Sequence, residues 1–242
     1  MTRVQLDYWR REELAILDRF IAPSIVSRMR DEVYALRARV KRKTVWGYKS
    51  AGSLAASVLV EEAPTITALY QSPALIGFLS TMAERPLHVC PANDPHALAV
   101  YWYEQPGDRV GFHYDTSHYV GARYTVLIGI VDDSSALLQC RVYSRERRRA
   151  VESIDVHTTP GKLVFFNGDK LHHAVSPIAA NEERIVLSLQ YVTDPRMSTL
   201  RRALSTVKDS LTYFGLDALK PSKVPSLPPS LTPASGDAEP GK

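Results

Sequence analysis

The chain has 242 residues, of which 45% are hydrophobic and 23% charged, as is ordinary for a globular protein of one large domain. It contains no apolar run long enough to span a bilayer and no apolar N-terminal core of the kind that secretory signals carry, so no membrane partner is expected. Two cysteines cannot form a disulfide framework, which favours a reduced, cytoplasmic protein. A net charge of +4 with a pI near 9.0 is too weakly basic to indicate a nucleic-acid partner.

The spacing of the apolar residues predicts that the first third of the chain is mostly helical. Residues 14–21, LAILDRFI, are an exception, since they are short and apolar enough for a buried strand. Pro23 suits the first turn of a helix, and a second helical stretch is predicted over residues 65–84, interrupted at Pro73. The first helix has its apolar face at Ile25, Met29, Val33, Leu36 and Val40.

From residue 97 the pattern changes to short stretches rich in β-branched and aromatic residues, separated by Gly, Pro, Asp and Asn. Such stretches predict strands, and their close succession indicates a β-sandwich or barrel on which the helical part packs. The basic run RERRR, residues 145–149, is interpreted as a solvated hairpin turn, with a phosphate-binding role as the alternative. The predicted strands are residues 97–103, 123–131, 137–143, 162–166 and 184–192.

These elements predict one α+β domain over residues 1–218. It comprises a helical part, residues 1–96, a β-barrel core, residues 97–194, and a last helix, residues 196–214. Residues 219–242 are rich in proline and poor in large apolar groups, which predicts a disordered tail.

The stretch GFHYDTSHYVG, residues 111–121, contains the first candidate metal ligands. His113 and Asp115 are two residues apart, so on a strand both side chains point to the same face. A third ligand is offered by His172 and His173, of which only one can face inward on a strand. Two histidines and one carboxylate on one face of a metal form the ligand set of non-haem Fe(II) oxygenases, and this set leaves coordination positions open.

A candidate anion anchor lies on the next predicted strand. Alternation places Arg184, Val186, Ser188 and Gln190 on one face of that strand. An arginine inside a barrel is costly unless it meets a negative charge, and its planar guanidinium matches a carboxylate with two parallel hydrogen bonds. A dicarboxylate cosubstrate would supply that charge.

The order and spacing of these residues resemble the Fe(II)/2-oxoglutarate-dependent dioxygenase superfamily, whose signature is His-x-Asp, a distal His and an Arg eleven positions later. HYD is similar to the first part, and Arg184 follows His173 by eleven residues. Counting from His172 would give twelve, so His173 is the better ligand. The segments PGKLVFFNGDKLHH and ILDRFIAPSIVSRMRDEV are also similar to the superfamily, and the resemblance extends over residues 14–193.

The resemblance implies a double-stranded β-helix (jelly-roll or cupin-like) core with the N-terminal helices packed on it. It implies Fe(II) held by His113, Asp115 and His173, with 2-oxoglutarate as cosubstrate and O2 as oxidant. The distal carboxylate of 2-oxoglutarate is assigned to Arg184. Further candidates are Tyr103 and Tyr124 for contact with the cosubstrate, and Thr116, Ser117, His118, Ser188 and Gln190 for contact with the substrate.

Two features narrow the implied activity. Where prolyl hydroxylases carry a Gly-Gly turn after the strand that follows His-x-Asp, this chain reads DDSSALLQC. HYDTSHYVGARYTVLIGIVDDSSA is more similar to small bacterial enzymes that act on free amino acids, among them the lysine halogenases and their hydroxylating relatives. In the halogenases Gly or Ala replaces the carboxylate and chloride takes its place on iron, whereas Asp115 fills that place here. We therefore expect oxidation of an aliphatic C–H bond of a small molecule, such as free lysine or a derivative in specialised metabolism, by hydroxylation, desaturation or ring closure.

Three alternatives stay open at this point. Nucleic-acid demethylation with the same cofactors is favoured only slightly by the basic pI and is opposed by Gln190, which stands where those enzymes carry a second arginine. Protein hydroxylation is weakened by the missing Gly-Gly turn. A non-catalytic, metal-binding β-barrel sensor is disfavoured because structural sites normally fill their coordination positions with protein ligands. The oligomeric state is also open, with a homodimer among the options.

Overall fold

The structure, a computed structural model, describes residues 2–92, 94–115, 117 and 119–196. The helix predicted over residues 196–214, apart from Arg196, and the predicted tail lie outside the described residues.

Short helices begin the chain, and their starts follow local chemistry. Thr2 and Gln5 form a capping box at the first helix, and proline stands in the first turn of three others, where its missing N–H has no intrahelical partner to lose. The interruption predicted at Pro73 is confirmed, because one helix ends before it and another begins there. The helices are α1 (Arg3–Arg10), α2 (Pro23–Ala35), α3 (Ala56–Glu62), α4 (Pro64–Tyr70) and α5 (Pro73–Ala83), with a 3-10 turn at Arg37–Arg39 after α2.

Twelve strands form one curled antiparallel sheet within the described residues. Its order is β1-β10-β7-β12-β5-β3-β6-β11-β8-β9, with β2 paired to β3 and β4 paired to β12. The strands are β1 (Leu14–Leu17), β2 (Lys41–Val45), β3 (Lys49–Leu54), β4 (His88–Val89), β5 (Leu98–Tyr103), β6 (Arg109–His113), β7 (Arg123–Asp133), β8 (Leu138–Val142), β9 (Glu152–Val156), β10 (Leu163–Asn167), β11 (His172–Val175) and β12 (Glu183–Val192).

Two apolar clusters fill the two faces of this sheet. One joins the helices to the outer face of the longer strands and includes Met29, Trp102 and Phe165. The other lies inside the curl, between the two halves of the sheet, and includes Val110 and Phe166. This arrangement confirms the predicted α+β class with a double-stranded β-helix core and helices packed on it.

Strands β2 and β3 correct the prediction of a mostly helical first third. The sequence KSAGSL of β3 has small and polar residues in place of β-branched ones, so no strand pattern is visible in it. Strand β3 pairs with both β5 and β6 and so joins the two halves of the sheet.

One further feature agrees with the sequence, the position of a turn. The basic run at residues 145–149 connects the paired strands β8 and β9, as expected for a hairpin turn. Within it, the guanidinium carbons of Arg145 and Arg149 lie 3.8 and 3.4 Å from the ring centroids of Tyr114 and Tyr143. Among the described residues, no helix is both long and apolar enough to cross a membrane.

A buried carboxylate ties the N-terminal segment to the turn before β11. Glu13 accepts hydrogen bonds from the Tyr124 hydroxyl at 2.5 Å, Asn167 Nδ2 at 3.1 Å and Lys170 Nζ at 2.5 Å. The Tyr8 hydroxyl lies at 3.4 Å from the same carboxylate. Burial raises the pKa of Glu13, but the hydrogen bonds from Lys170, Tyr124 and Asn167 outweigh burial and hold that pKa below its ordinary value.

The Glu13→Gln substitution should therefore lower the free energy of unfolding by about 2 kcal/mol, because it replaces one buried acceptor oxygen with an amide donor that faces other donors. Since the pKa of Glu13 is lowered on folding, the loss is present at neutral pH and disappears as the pH falls through that lowered pKa. Urea unfolding at several pH values measures both effects. Glu61→Gln, at an exposed position of α3, is the matched control, and equal unfolding midpoints for the two variants would contradict the assignment.

Candidate metal centre

The two candidate histidine ligands lie directly opposite each other on paired strands. His113 on β6 pairs with His173 on β11, and their ring centroids are 4.2 Å apart. The next matched pair is Val110 with Val175, so β6 carries one extra residue between the two pairs. Such a bulge redirects side chains: Val110 and His113 both face the interior, and the intervening Phe112 packs on the outer side against His172.

Asp115 reaches the same point from a loop. Strand β6 ends at His113, so Asp115 lies two residues beyond the strand. The prediction that Asp115 lies on the same strand as His113 is therefore wrong. The turn between β10 and β11 holds this loop, since Asp169 Oδ1 accepts a hydrogen bond from the Ser117 backbone N–H at 2.8 Å. The approach is close: a Cβ at Gly168 would lie 2.7 Å from the Asp115 backbone oxygen and 2.8 Å from its Cβ.

The three side chains converge on one small volume. His113 Nε2 lies 3.4 Å from Asp115 Oδ1, and His173 Nε2 lies 3.9 Å from Asp115 Oδ2. One ligand atom from each residue lies within 4.8 Å of the others. Two imidazole nitrogens and one carboxylate oxygen at this spacing are a ligand set suited to Fe(II).

The backbone selects which nitrogen of each histidine faces the centre. His113 Nδ1 lies 2.9 Å from the Gly111 carbonyl oxygen, and His173 Nδ1 lies 3.3 Å from that of Leu171. A carbonyl can only accept, so each Nδ1 carries a proton, and Nε2 of the neutral ring presents a lone pair to the centre. Metal-binding histidines are commonly fixed in this way by a hydrogen bond from the other ring nitrogen.

A polar chain behind the centre orients the carboxylate. The Thr125 hydroxyl donates to Asp115 Oδ2 at 2.7 Å and lies 3.0 Å from the side-chain amide oxygen of Gln190. The Gln190 amide in turn lies 3.4 Å from the Ser188 hydroxyl. Because Thr125 and Gln190 are buried, this series of polar side chains fixes one side of the Asp115 carboxylate. The other side of the carboxylate faces the histidines.

The electrostatics of the cluster suit a cation. Burial raises the pKa of Asp115, but His173, His113 and Thr125 outweigh burial and hold that pKa far below its usual range. Burial and the charge of His113 lower the pKa of His173 to about 4, although Asp115 acts in the opposite direction. At neutral pH the carboxylate is therefore ionised and His173 is neutral, as metal ligands must be.

Arg184 occupies the interior next to this centre and is only 1% exposed. Its Nε donates to Thr158 Oγ1 at 3.1 Å, and its guanidinium carbon lies 5.1 Å from the centroid of the Tyr103 ring. Gly129 permits the backbone at Thr158 to lie close to β7, since a Cβ at position 129 would lie 1.9 Å from the backbone carbonyl oxygen of Thr158. Burial lowers the pKa of Arg184, and Tyr103 and Asp132 offset part of that effect.

One nitrogen of this guanidinium is unused. Within the described part of the chain, Arg184 Nη2 is buried and has no hydrogen-bond partner. A buried charged donor without an acceptor is costly, so the interior is suited to an added carboxylate at this point. Tyr103 lies next to Arg184, because these two residues are paired between β5 and β12.

The structure does not bring Tyr124 to the site, which corrects its assignment to the cosubstrate. Its neighbour Thr125 faces Asp115, and strand alternation turns Tyr124 to the opposite face. There it stacks on Phe165 with ring centroids 5.5 Å apart and donates to Glu13. Tyr124 is thus a core residue between sheet and helices.

The remaining predicted residues fall into three groups. Ser188 and Gln190 line the interior as alternation predicts. The Ser117 hydroxyl is used within its own loop, donating to the Gly121 carbonyl at 2.7 Å. Thr116 and His118 lie outside the described residues.

Two interior residues were missed by sequence reasoning. Thr125 is a polar residue within an otherwise mostly apolar strand, and this polarity could have drawn attention to it. Lys49 is a buried cation on β3, and it was missed because that strand was not predicted.

Solved structures with this fold share a class of enzyme. The epimerase SnoN from nogalamycin biosynthesis aligns with a TM-score of 0.65 at 16% identity, over 78% of this chain and 79% of that one. The carbocyclase SnoK of the same pathway gives 0.64 at 14% identity, over 85% and 90%. A prolyl hydroxylase from Trichoplax adhaerens gives 0.62 at 16% identity, over 84% and 91%. SnoN and SnoK are both described as non-haem α-ketoglutarate-dependent enzymes, so this chain has the fold of the Fe(II)/2-oxoglutarate-dependent oxygenases.

A comparison with profiles of protein families assigns the chain to a narrower group than the fold does. The profile of the Halogenase D family matches residues 2–126, just over half of the chain, and the chain belongs to this family. The match includes His113 and Asp115 and ends before His173 and Arg184. Comparison with curated protein sequences gives no match. Family and fold together confirm the class predicted from the sequence, an Fe(II)/2-oxoglutarate-dependent dioxygenase of the halogenase-related group.

If Thr125 orients the carboxylate ligand, Thr125→Val should weaken Fe(II) binding by about tenfold or more while leaving the fold intact. The substitution keeps the shape of the side chain and removes the hydroxyl that donates to Asp115. Anaerobic Fe(II) titration measures the effect, with Thr44→Val at an exposed position of β2 as the control. Equal affinities for the two variants would show that Asp115 needs no such support.

Proposed function

We propose that this protein is an oxygenase that uses Fe(II), 2-oxoglutarate and O2 to oxidise an aliphatic C–H bond of a small molecule. The observation that carries this proposal is one interior that holds a two-histidine, one-carboxylate cluster beside a buried, incompletely used arginine. A purely structural metal site does not require a buried arginine beside it. A dicarboxylate cosubstrate that binds the metal requires both the ligand cluster and Arg184.

His113, Asp115 and His173 would hold the metal through Nε2, one carboxylate oxygen and Nε2. When bound, Fe(II) and 2-oxoglutarate would supply the electrons that activate O2, which is the oxidant of the C–H bond. The protein's part is positional: the carbonyls of Gly111 and Leu171 keep the imidazoles in the metal-binding tautomer, and Thr125 keeps the carboxylate turned inward. Three protein ligands leave the other coordination positions for the cosubstrate and dioxygen.

Arg184 would bind the distal carboxylate of 2-oxoglutarate. Its Nε is occupied by Thr158, so Nη2 is the donor that a carboxylate would meet. Tyr103 shares the same space and adds a hydroxyl to it. Because the guanidinium is already desolvated, its hydrogen bonds to an anion are stronger than they would be in water.

Asp115 directs the proposed reaction toward oxygen transfer and away from halogenation, although the family carries the name Halogenase D. Its carboxylate lies between the two histidines and would fill the position that chloride takes in the halogenases. Hydroxylation is the simplest outcome. The epimerase and carbocyclase names of the fold relatives support keeping desaturation and ring closure as other outcomes.

A free amino acid such as lysine, or a derivative made in specialised metabolism, is the proposed substrate. Support comes from the resemblance to amino-acid-directed enzymes and from the polar interior positions of Ser188 and Gln190. Gln190 contacts Thr125 and Ser188. It therefore does not take the role that the second arginine has in nucleic-acid demethylases. Free, buried cysteines at positions 90 and 140 are compatible with the proposed cytoplasmic setting.

The Arg184→Met variant should bind 2-oxoglutarate about 100-fold more weakly, because the charge-assisted hydrogen bond from Nη2 and the buried positive charge are lost. Fe(II) affinity should stay near that of the wild type, since Arg184 does not contact the ligand cluster. Anaerobic calorimetry gives both constants, and Arg28→Met on the exposed side of α2 is the control. Unchanged 2-oxoglutarate affinity would remove Arg184 from the proposed site.

The protein is incubated with Fe(II), ascorbate, 2-oxoglutarate, chloride and each amino acid in turn. The amino acid that is the substrate should yield succinate and a product that has gained oxygen or lost hydrogen. Mass spectrometry of the product and of succinate measures this outcome. Asp115→Ala should abolish hydroxylation, because a metal ligand is lost. A chlorinated product from the wild type would overturn the role given to Asp115, and an Asp115→Ala variant with full hydroxylating activity would overturn its assignment as a ligand.

A further inference from the structure

We infer that Asp132 is a second binding residue for the distal carboxyl group of 2-oxoglutarate, and that it binds this group through one shared proton. The proton comes from solvent and is held between Asp132 Oδ2 and one oxygen of the distal carboxylate, while Arg184 Nη2 donates to the same carboxylate. The inference rests on the proposed function and extends it, because binding of the cosubstrate then depends on pH.

A bulge in β7 turns the Asp132 side chain toward the interior. Thr125, which contacts Asp115, faces the interior, so regular alternation would place Asp132 on the outer face of the sheet. Strand β7 has one extra residue between these positions, since Gly129 and Val131 pair with adjacent residues of β12. This bulge reverses the alternation, and the Asp132 side chain is only 1% exposed.

Asp132 lies directly opposite Arg184 in the ladder between β7 and β12. Directly opposite residues share one face of the sheet, with Cβ atoms about 4.5–5.5 Å apart. Tyr103 on β5 lies opposite Arg184 on the other side, so the three residues form a row across the interior with the arginine in the middle. Glu183, the neighbour of Arg184, accepts from Trp102 Nε1 at 3.0 Å on the outer face, as alternation requires.

The two charged groups of this row each keep one atom without a hydrogen-bond partner. Among the residues that the structure describes, Asp132 Oδ2 and Arg184 Nη2 are both buried and unpaired. Other atoms of the two groups have partners: Asp132 Oδ1 accepts from the Ser134 hydroxyl at 3.0 Å, and Arg184 Nε donates to Thr158 Oγ1 at 3.1 Å. A buried acceptor and a buried donor left unpaired are both costly.

A ligand that satisfies both atoms must accept from Arg184 and donate to Asp132. A carboxylate alone cannot do this, because it only accepts hydrogen bonds. Two carboxylates that share one proton can, since one oxygen accepts from the guanidinium and the proton joins another oxygen to Asp132.

The charges agree with this arrangement. Arg184 supplies a single positive charge against two carboxylates, so one added proton leaves the buried group neutral. Where two carboxylates share a site, the pKa of one of them is raised. Burial already raises the pKa of Asp132, although Ser134 and Arg184 offset part of that rise.

The other charged groups that act on Asp132 are His157 and Lys162. Lys162 Nζ lies 3.1 Å from Asp18 Oδ1 and is therefore paired. His157 Nδ1 lies 3.8 Å from Asp132 Oδ2, and its side chain is 54% exposed. His157 is thus the other group that could take up a proton when an anion binds, and the experiment must separate it from Asp132.

The test counts protons in place of turnover. The Fe(II)-loaded protein is titrated anaerobically with 2-oxoglutarate by calorimetry, in buffers of different ionisation enthalpy and across the neutral pH range. The variants are Asp132→Asn and His157→Gln. Asp133→Asn, the same change at the exposed next residue of β7, is the matched control. Asparagine keeps the shape of the aspartate and offers an amide N–H in place of the shared proton.

We expect the wild type and Asp133→Asn to take up about one proton per 2-oxoglutarate and to lose up to about tenfold in affinity for each unit of rising pH. The affinity falls because the proton that joins the two carboxylates becomes scarcer. Asp132→Asn should take up none, bind with the same affinity at each pH and bind more tightly than the wild type at the alkaline end. His157→Gln should keep the wild-type proton count.

Binding of 2-oxoglutarate by the wild type without proton uptake would overturn the inference and leave the proposed function in place. Uptake that persists in Asp132→Asn would also overturn it, and loss of the uptake in His157→Gln would assign the proton to His157. The wild-type proton count and His157→Gln decide the inference even if Asp132→Asn does not fold. Failure of the wild type to bind 2-oxoglutarate at all would instead refute the proposed function itself.

Discussion

The pairing of His113 with His173 across β6 and β11 is the constraint on which the site depends. It brings together two residues far apart in the chain and fixes their separation by the geometry of the ladder. The Gly111 and Leu171 carbonyls then fix the orientation of each ring. A centre built from backbone pairing needs little rearrangement to accept a metal, which is the purpose of placing a site on rigid elements.

Everything else at the centre is arranged around that pair. The β10–β11 turn carries Asp169 and Gly168 to the loop that holds Asp115, and the Thr125 hydroxyl fixes the carboxylate from behind. The same turn is tied to the N-terminal segment through Glu13 and Lys170. The helical part of the chain thus reaches the site indirectly, by restraining the segment that immediately precedes β11.

Local spacing and strand alternation are signals that a sequence carries, and the residues they indicate, His113, Asp115 and His173, lie together in the structure. Sequence reasoning could not predict the bulge in β6, since the extra residue between Val110 and His113 is defined only by pairing with β11. Tyr124 alternates with Thr125 along β7, so its hydroxyl meets Glu13 on one face of the sheet while Thr125 meets Asp115 on the other. Lys49 was missed because a strand of small and polar residues carries no periodic signal, although tertiary pairing buries it.

We propose that the backbone-fixed histidines and Asp115 hold Fe(II) while Arg184 binds the cosubstrate. An anaerobic crystal structure with Fe(II) and 2-oxoglutarate would test this proposal. We expect iron bonded to Nε2 of His113, Nε2 of His173 and one oxygen of Asp115, with the distal carboxylate of 2-oxoglutarate on Nη2 of Arg184. Iron bound through Nδ1, or 2-oxoglutarate bound away from Arg184, would contradict it.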